Sequence, residues 1–216
     1  AIPERQMSEI EAQRWNQRYA VEEYVFGTAP NAFLVSQAQR FSPGQRVLAV
    51  ADGEGRNGVW LAQQGLEVLV VDVSPAALAK AQKLAAQRGV QLETELADLF
   101  AWDWGENRFD AIVAIFIQFV AAGERRQLHQ LMRQALKPGG LIVLQGYAPK
   151  QLEYRTGGPS ERDNLYSAED LRGEFAGVAD MEILHLREHD CEFSEGAGHS
   201  GMSALVEMVA RKPFGV

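Results

Sequence analysis

Gly53-Glu54-Gly55-Arg56-Asn57-Gly58 follows almost directly on the apolar run Val47-Leu48-Ala49-Val50. Glycines so spaced permit a tight turn and let backbone N–H groups approach a ligand at the start of the next helix. Asp72 closes a second apolar run, near the spacing at which an acid accepts hydrogen bonds from ribose hydroxyls. The pattern reads as a site for a nucleoside-containing ligand; the plainer alternative is a structural turn beside a surface Asp.

These residues need a scaffold, and the chain alternates strand and helix patterns that supply one. Residues 47–50 read as a strand, followed by a helix from about Asn57 that stops at Gly65. Residues 66–73 read as a second strand, nearly all apolar, as a strand covered on both faces should be. Ser74-Pro75 opens a helix ending at Gly89, with Ser as N-cap and Pro in the first turn. Residues 90–96 alternate as a third strand and 109–116 form a fourth. An amphipathic helix over 124–136 is broken by Lys137-Pro138-Gly139-Gly140, which launches a fifth strand, 141–147. This alternation implies right-handed crossovers and a parallel sheet. Residues 148–165 form a long polar loop, either a lid or binding loop or a disordered stretch. Ser167 and Asp170 mark a capping box for a short helix through Phe175. Residues 181–188 and 204–210 have no helix between them and are expected to pair antiparallel. The expected fold is therefore α/β, a three-layer sandwich. Its Rossmann-like, mostly parallel seven-stranded sheet ends in an antiparallel C-terminal strand pair.

Two adenosine ligands compete for the turn. Its letters satisfy the dinucleotide pattern, which favours an NAD(P)-dependent oxidoreductase. Three features favour S-adenosylmethionine. Asp98 ends the third strand, where an acid can accept the adenine amino group. Leu136-Lys137-Pro138-Gly139-Gly140 precedes the fifth strand. The tail pair leaves no separate dehydrogenase substrate domain.

From about Phe41 onward, these segments resemble the class I S-adenosylmethionine-dependent methyltransferases. Trp15-Asn16-Gln17-Arg18-Tyr19, Tyr24-Val25-Phe26-Gly27 and Pro30-Asn31 narrow the resemblance to small bacterial tellurite-resistance and thiopurine-type enzymes. It implies residues 1–42 as an N-terminal helical extension covering the cofactor cleft and 43–216 as the methyltransferase domain. It also implies that Gly53 and Gly55 hold the methionine portion and Asp72 the ribose. Asp98 with Leu99 would frame adenine, and Ile115 and Phe116 would pass beside the cofactor. Ala51, Asp52, Glu54, Asn57, Val73 and Ser74 complete the expected cofactor-binding set. The chain departs from the family pattern at Ala49, where an acid is usual, and at Ala51, where a glycine is usual. Asp52 lies in the same turn and is placed to stand in for the acid. These departures keep open a non-catalytic, cofactor-binding methyltransferase-like protein.

Methyl transfer from a sulfonium is an in-line displacement that yields S-adenosylhomocysteine, and the cofactor carries most of the chemistry. The protein must orient the acceptor and exclude water. A soft sulfur, selenium or tellurium nucleophile needs no general base, and the sequence shows no metal-ligand cluster. Trp15, Tyr19, Tyr24 and Phe26 are suited to wall the pocket or simply to anchor the extension. Asn31 is a pocket residue or a cap, Gln118 sits at the cleft edge, and Tyr154 and Arg155 lie in the long loop. Tyr147 ends the fifth strand, turned toward substrate or buried as a structural tyrosine. His199, within Gly196-Ala197-Gly198-His199-Ser200-Gly201, is the histidine picked for catalysis, with an ordinary loop imidazole as the alternative. His129, His185 and His189 read as structural or surface residues.

A formal charge of −8, from 21 Lys and Arg against 29 Asp and Glu, opposes nucleic-acid partners. The single cysteine, Cys191, excludes an internal disulfide and fits a reducing compartment. No apolar run approaches the roughly 20 residues of a bilayer span. A cytoplasmic protein with a small-molecule substrate and no membrane partner is expected. Met7-Ser8 reads as an initiator pair, which would put residues 1–6 ahead of the natural start.

Overall fold

The computed structural model describes residues 4–197 and 199–215. Part of the 1–6 segment and Gly198, which flanks His199, lie outside the described residues. In chain order the elements are α1 (Glu4–Tyr19), α2 (Ala32–Ser36), β1 (Arg46–Val50), α3 (Arg56–Gln63), β2 (Glu67–Asp72), α4 (Pro75–Gln87) and β3 (Glu93–Leu96). They continue with β4 (Phe109–Ile115), α5 (Ala122–Ala135), β5 (Leu136–Tyr147), α6 (Gln151–Tyr154), α7 (Ala168–Arg172), β6 (Glu182–Ser194) and β7 (Ser200–Arg211). One sheet has the order β3-β2-β1-β4-β5-β7-β6, with β1 to β5 parallel and β7 antiparallel to both neighbours. The order reverses between β1 and β4. Ligands of open α/β sheets bind at the carboxyl ends of strands flanking such a reversal.

Side chains alternate across β1. Val47 and Ala49 join a core with α3 and α4, while Leu48 and Val50 join one with α5. Helices on both faces explain why the strand is apolar throughout. Ser74 caps α4 by accepting from the Ala77 N–H at 3.1 Å. The Ser167/Asp170 capping box forms, and α7 runs into a π-helical turn over Gly173–Gly177.

Three expectations need correction. β5 begins at Leu136 because Lys137-Pro138-Gly139-Gly140, expected as a break, is absorbed by a register shift opposite Phe109 and Ala111. The terminal hairpin is longer than expected, since pairing continues to Ser194↔Ser200. Residues 148–165 are an ordered segment packed on β7, with a short helix of their own. Gln151 Oε1 accepts from the Ala204 N–H at 2.9 Å, Thr156 Oγ1 donates to the Met202 carbonyl at 2.6 Å, and Gly157 bridges to His199.

The histidines set aside in the sequence are structural. His129 is buried, its Nδ1 2.8 Å from Glu174, whose other oxygen meets Arg125 at 2.8 Å. His185 lies 3.0 Å and His189 3.5 Å from Glu207 on β7. No helix among the described residues is long and apolar enough to cross a membrane.

Candidate functional site

The glycine turn sits at the carboxyl end of β1, and each of its glycines is required by a close neighbour. A Cβ on Gly53 (φ +59°) would lie 2.6 Å from the Tyr19 hydroxyl. On Gly55 (φ +86°) it would lie 2.6 Å from Ala81 of α4, and on Gly58 2.8 Å from Val70 of β2. Ala51 also adopts a left-handed conformation (φ +48°), which costs a residue with a Cβ about 1–2 kcal/mol. The missing glycine is therefore a real strain. Asp52 Oδ2 accepts from the Gly58 N–H at 2.8 Å and so caps α3 from below. Burial pushes its carboxyl up to about 6, against the Gly58 hydrogen bond and the Arg56 charge.

Asp72 ends β2 buried, with Oδ2 accepting from the Gly53 N–H and Oδ1 from the Ser74 N–H, both at 3.0 Å. Burial raises its pKa despite these N–H donors. Each oxygen accepts one bond here and has capacity for another. This donor set fits an adenosine cofactor. A buried acid at the end of β2 and a left-handed glycine turn are in place. Asp98 follows β3, its Oδ1 accepting from the Phe100 N–H at 2.9 Å, beside an open groove of about 630 Å³ lined by Glu95, Trp102 and Arg108.

α1 lies over this edge. Asn16 Oδ1 accepts from the Ser74 hydroxyl at 2.9 Å and the Ala76 N–H at 3.0 Å, docking α1 on the start of α4. Tyr19 is held neutral by burial and by the Asp72 and Glu54 charges. An aromatic series runs from α1 to the β6–β7 hairpin. Trp15 stacks on Tyr19 at 5.6 Å, Tyr19 meets Phe26 edge-on at 6.4 Å, and Phe26 stacks on His199 at 4.6 Å. Phe116 covers His199 at 4.8 Å and touches Tyr147 at 4.8 Å. Phe116 has φ +55°, an unfavourable conformation for a bulky residue that tends to mark functional sites. Tyr147 Oη is hydrogen-bonded to His199 Nδ1. Burial, with the Arg56 and Arg18 charges, pulls the His199 pKa down to about 3, and burial with Glu195 pushes Tyr147 up.

His199 reaches the cleft because the β6–β7 turn is tied down. Glu195 forms a buried ion pair with Arg56 at 2.5 Å and accepts from Asn31 Nδ2 at 2.8 Å. Asn31 also donates to Gln145 at 2.7 Å and caps α2 through the Leu34 N–H. Gln118 brackets the Tyr147 backbone, donating to its carbonyl at 2.8 Å and accepting from its N–H at 2.6 Å.

The structure thus gathers Ala51, Asp52, Gly53, Gly55, Asp72 and Ser74 at one sheet edge, with Ile115 and Phe116 at the end of β4. It draws Trp15, Tyr19, Phe26, Tyr147 and His199 into one aromatic cluster. Other expected side chains are engaged elsewhere. Glu54 binds the Val25 N–H at 2.8 Å and Lys80 at 2.7 Å, and Asn57 accepts from the Asn31 N–H. Leu99 is core, and Val73 is half-buried beyond Asp72. Tyr24 packs outward against Lys80, and Tyr154 bonds Asp190 on β6 at 2.8 Å, with the exposed Arg155 beside it. Arg18, Arg56 and Glu195 were missed. Arg56 lies inside the glycine run itself, and a charged residue at the start of a buried helix is the signal that marks it.

Residues 47–140 match the family model described as a methyltransferase domain. An uncharacterized methyltransferase of Synechocystis is 32% identical over 104 residues, 48% of this chain and 47% of that protein. The chain spans less than half the length of the curated relatives it matches, an uncharacterized Mycobacterium tuberculosis protein among them at 41%. In fold it is similar to a structure solved for the conversion of a disulfide bond into a thioacetal group in echinomycin biosynthesis. The TM-score there is 0.77 with 19% identity, covering 97% of this chain and 93% of that one. TehB from Haemophilus influenzae gives a TM-score of 0.68 with 19% identity, covering 94% and 67%.

Proposed function

On the premise that residues 47–140 form a methyltransferase domain in a Rossmann-like, class I methyltransferase fold, we propose that the protein is an S-adenosylmethionine-dependent methyltransferase acting on a small molecule. The observation that carries this reading is the left-handed glycine turn hydrogen-bonded to buried Asp72 at the sheet reversal. When bound, the cofactor supplies an activated methyl group on a sulfonium. The protein's own part is binding, orientation and exclusion of water. The turn backbone from Ala51 to Gly55 would hold the methionine portion, Asp72 the ribose and Asp98 the adenine edge. Ile115 and Phe116 would form the wall.

A soft nucleophile of the sulfur, selenium or tellurium class is supported by the residues around His199. The walls are aromatic, and the titratable pair Tyr147–His199 is held neutral by burial. Neither member is a strong base at neutral pH, so an acceptor that brings its own lone pair suits the site. Calorimetric titration with S-adenosylmethionine, S-adenosylhomocysteine and NADH tests the reading. Saturable binding of both sulfur nucleosides is expected, weakened about 100-fold or more in Asp72→Ala, which removes charge-assisted hydrogen bonds worth about 1.5–3 kcal/mol each. Binding of NADH alone would instead establish the oxidoreductase alternative.

A further inference from the structure

The His199 ring is buried among Phe26, Phe116, Tyr147 and Phe193. Phe26 stacks on it at 4.6 Å with an interplanar angle of 28°, and Phe116 at 4.8 Å with 26°. Tyr147 occupies Nδ1. Nε2 has no hydrogen-bond partner among the described residues, nor is it among their sealed, unpartnered atoms. It is the ring's one polar atom without a partner among the described residues, on a side chain that is only 7% exposed.

The hydrogen-bond direction follows from counting partners. If Nδ1–H donated to the phenol, both the Tyr147 O–H and a bare Nε2 would lack partners. If the Tyr147 hydroxyl donates to Nδ1, only an Nε2–H remains unmatched. Buried polar groups favour the arrangement with fewer losses. The charges that act on the ring are those of Arg56, paired with Glu195, and Arg18. Arg18 sits 5.0 Å from the Phe26 ring and 5.1 Å from the Trp15 ring, with no carboxylate partner among the described residues. A lone cation therefore stands beside a neutral, aromatic donor site in a chain of net charge −8.

We propose that His199, set in its Nε2–H tautomer by Tyr147, donates a hydrogen bond to the nucleophilic atom of the methyl acceptor, which enters as a small anion of the thiolate type. This rests on the methyltransferase reading. In the step, the acceptor lone pair forms the new bond to the methyl carbon. The carbon–sulfur bond breaks and its electrons neutralise the sulfonium. No proton is transferred. An anion and a cation become two neutral products, a change that weakly screening aromatic walls favour. His199 contacts the acceptor, and Tyr147 acts through it as a positioning residue.

The test uses the whole protein saturated with S-adenosylhomocysteine and the coloured thiolate 4-nitrothiophenolate as probe. Calorimetry first checks the nucleoside, whose affinity should stay within about twofold in His199→Phe and Tyr147→Phe; failure of the wild type to bind it would overturn the methyltransferase reading instead. The probe should bind the wild-type complex and weaken about tenfold in His199→Phe, with partial recovery in His199→Gln, which retains a donor. Nitrogen-15 NMR of the imidazole reads the tautomer without any ligand, and Nε2–H is expected in the wild type. Equal probe affinity in wild type and His199→Phe, no probe binding by the wild-type complex, or an Nδ1–H tautomer would each overturn the proposal.

Discussion

The two halves of the sheet assemble their polar groups over different distances in the chain. On the parallel half, Asp72 binds Gly53, 19 residues away, and Asp52 binds Gly58, 6 residues away. Asp72 meets Gly53 because consecutive parallel strands end at the same edge, and Asp52 meets Gly58 within a single turn. On the antiparallel half, Tyr147 meets His199 across 52 residues and Arg56 meets Glu195 across 139. There the tip of the β6–β7 hairpin reaches Arg56 and Asn31 through Glu195. The parallel half is a prebuilt turn, whereas the hairpin tip of the antiparallel half is joined to it by the Arg56–Glu195 ion pair and the Asn31 amide. Ligand geometry on the acceptor side is thus hostage to contacts far from it in sequence.

Breaking that join is expected to have the largest effect. Glu195→Ala leaves Arg56 buried and uncompensated, a loss of about 3–5 kcal/mol, measurable by urea unfolding. Glu174→Ala on the far face should cost a similar amount. If the halves differ as described, only Glu195→Ala should also shift the His199 imidazole signals. The turn itself is expected to respond to pH. In the folded protein the Asp52 carboxyl is raised from 3.8 to about 6, so the folded state holds this proton more tightly. Its contribution is present below pH 3.8 and is lost as pH rises through about 6. Asp52→Asn, which keeps an acceptor for the Gly58 N–H, should match the wild type near pH 4. It should gain up to about 3 kcal/mol over it by pH 7, read from thermal melts across that range.

A further contrast comes from the hairpin tip. A Cβ on Gly196 (φ +68°) would lie 2.4 Å from the Phe26 backbone, so Gly196→Ala should cost about 2 kcal/mol and loosen the Phe26–His199 stack. Chemical denaturation and the imidazole spectrum would show both. The smallest effect should come from the parallel half. Ala51→Gly relieves the left-handed strain and should add about 1 kcal/mol without weakening S-adenosylhomocysteine binding. Weaker binding would mean that the alanine methyl contributes to the site.

How much could be read in advance follows the same division. Gly53, Asp72 and Ser74 were legible because turn glycines, strand-end acids and helix caps act within a few residues of where they are written. Ala51 was also legible, as a departure whose backbone cost the structure displays. Asn31 was readable as a cap, and it caps α2, but its amide also bridges Gln145 and Glu195. Glu54 and Asn57 were read toward a ligand, yet their side chains brace Val25, Lys80 and Asn31. Position in a turn does not say which way a long side chain will reach.

By itself, then, the sequence determined the alternating elements, the parallel order that puts the glycine turn and Asp72 on one edge, and the antiparallel ending. Hydrophobic period, caps and glycines are local, and right-handed crossovers leave few ways to join them. Only the tertiary structure decided that Tyr147 and His199 share a hydrogen bond, that Arg56 pairs with Glu195, and that Tyr19 seals Gly53. Those pairings depend on where a hairpin and an N-terminal helix come to rest. That placement is set by packing summed over the whole sheet, which no short window of residues encodes.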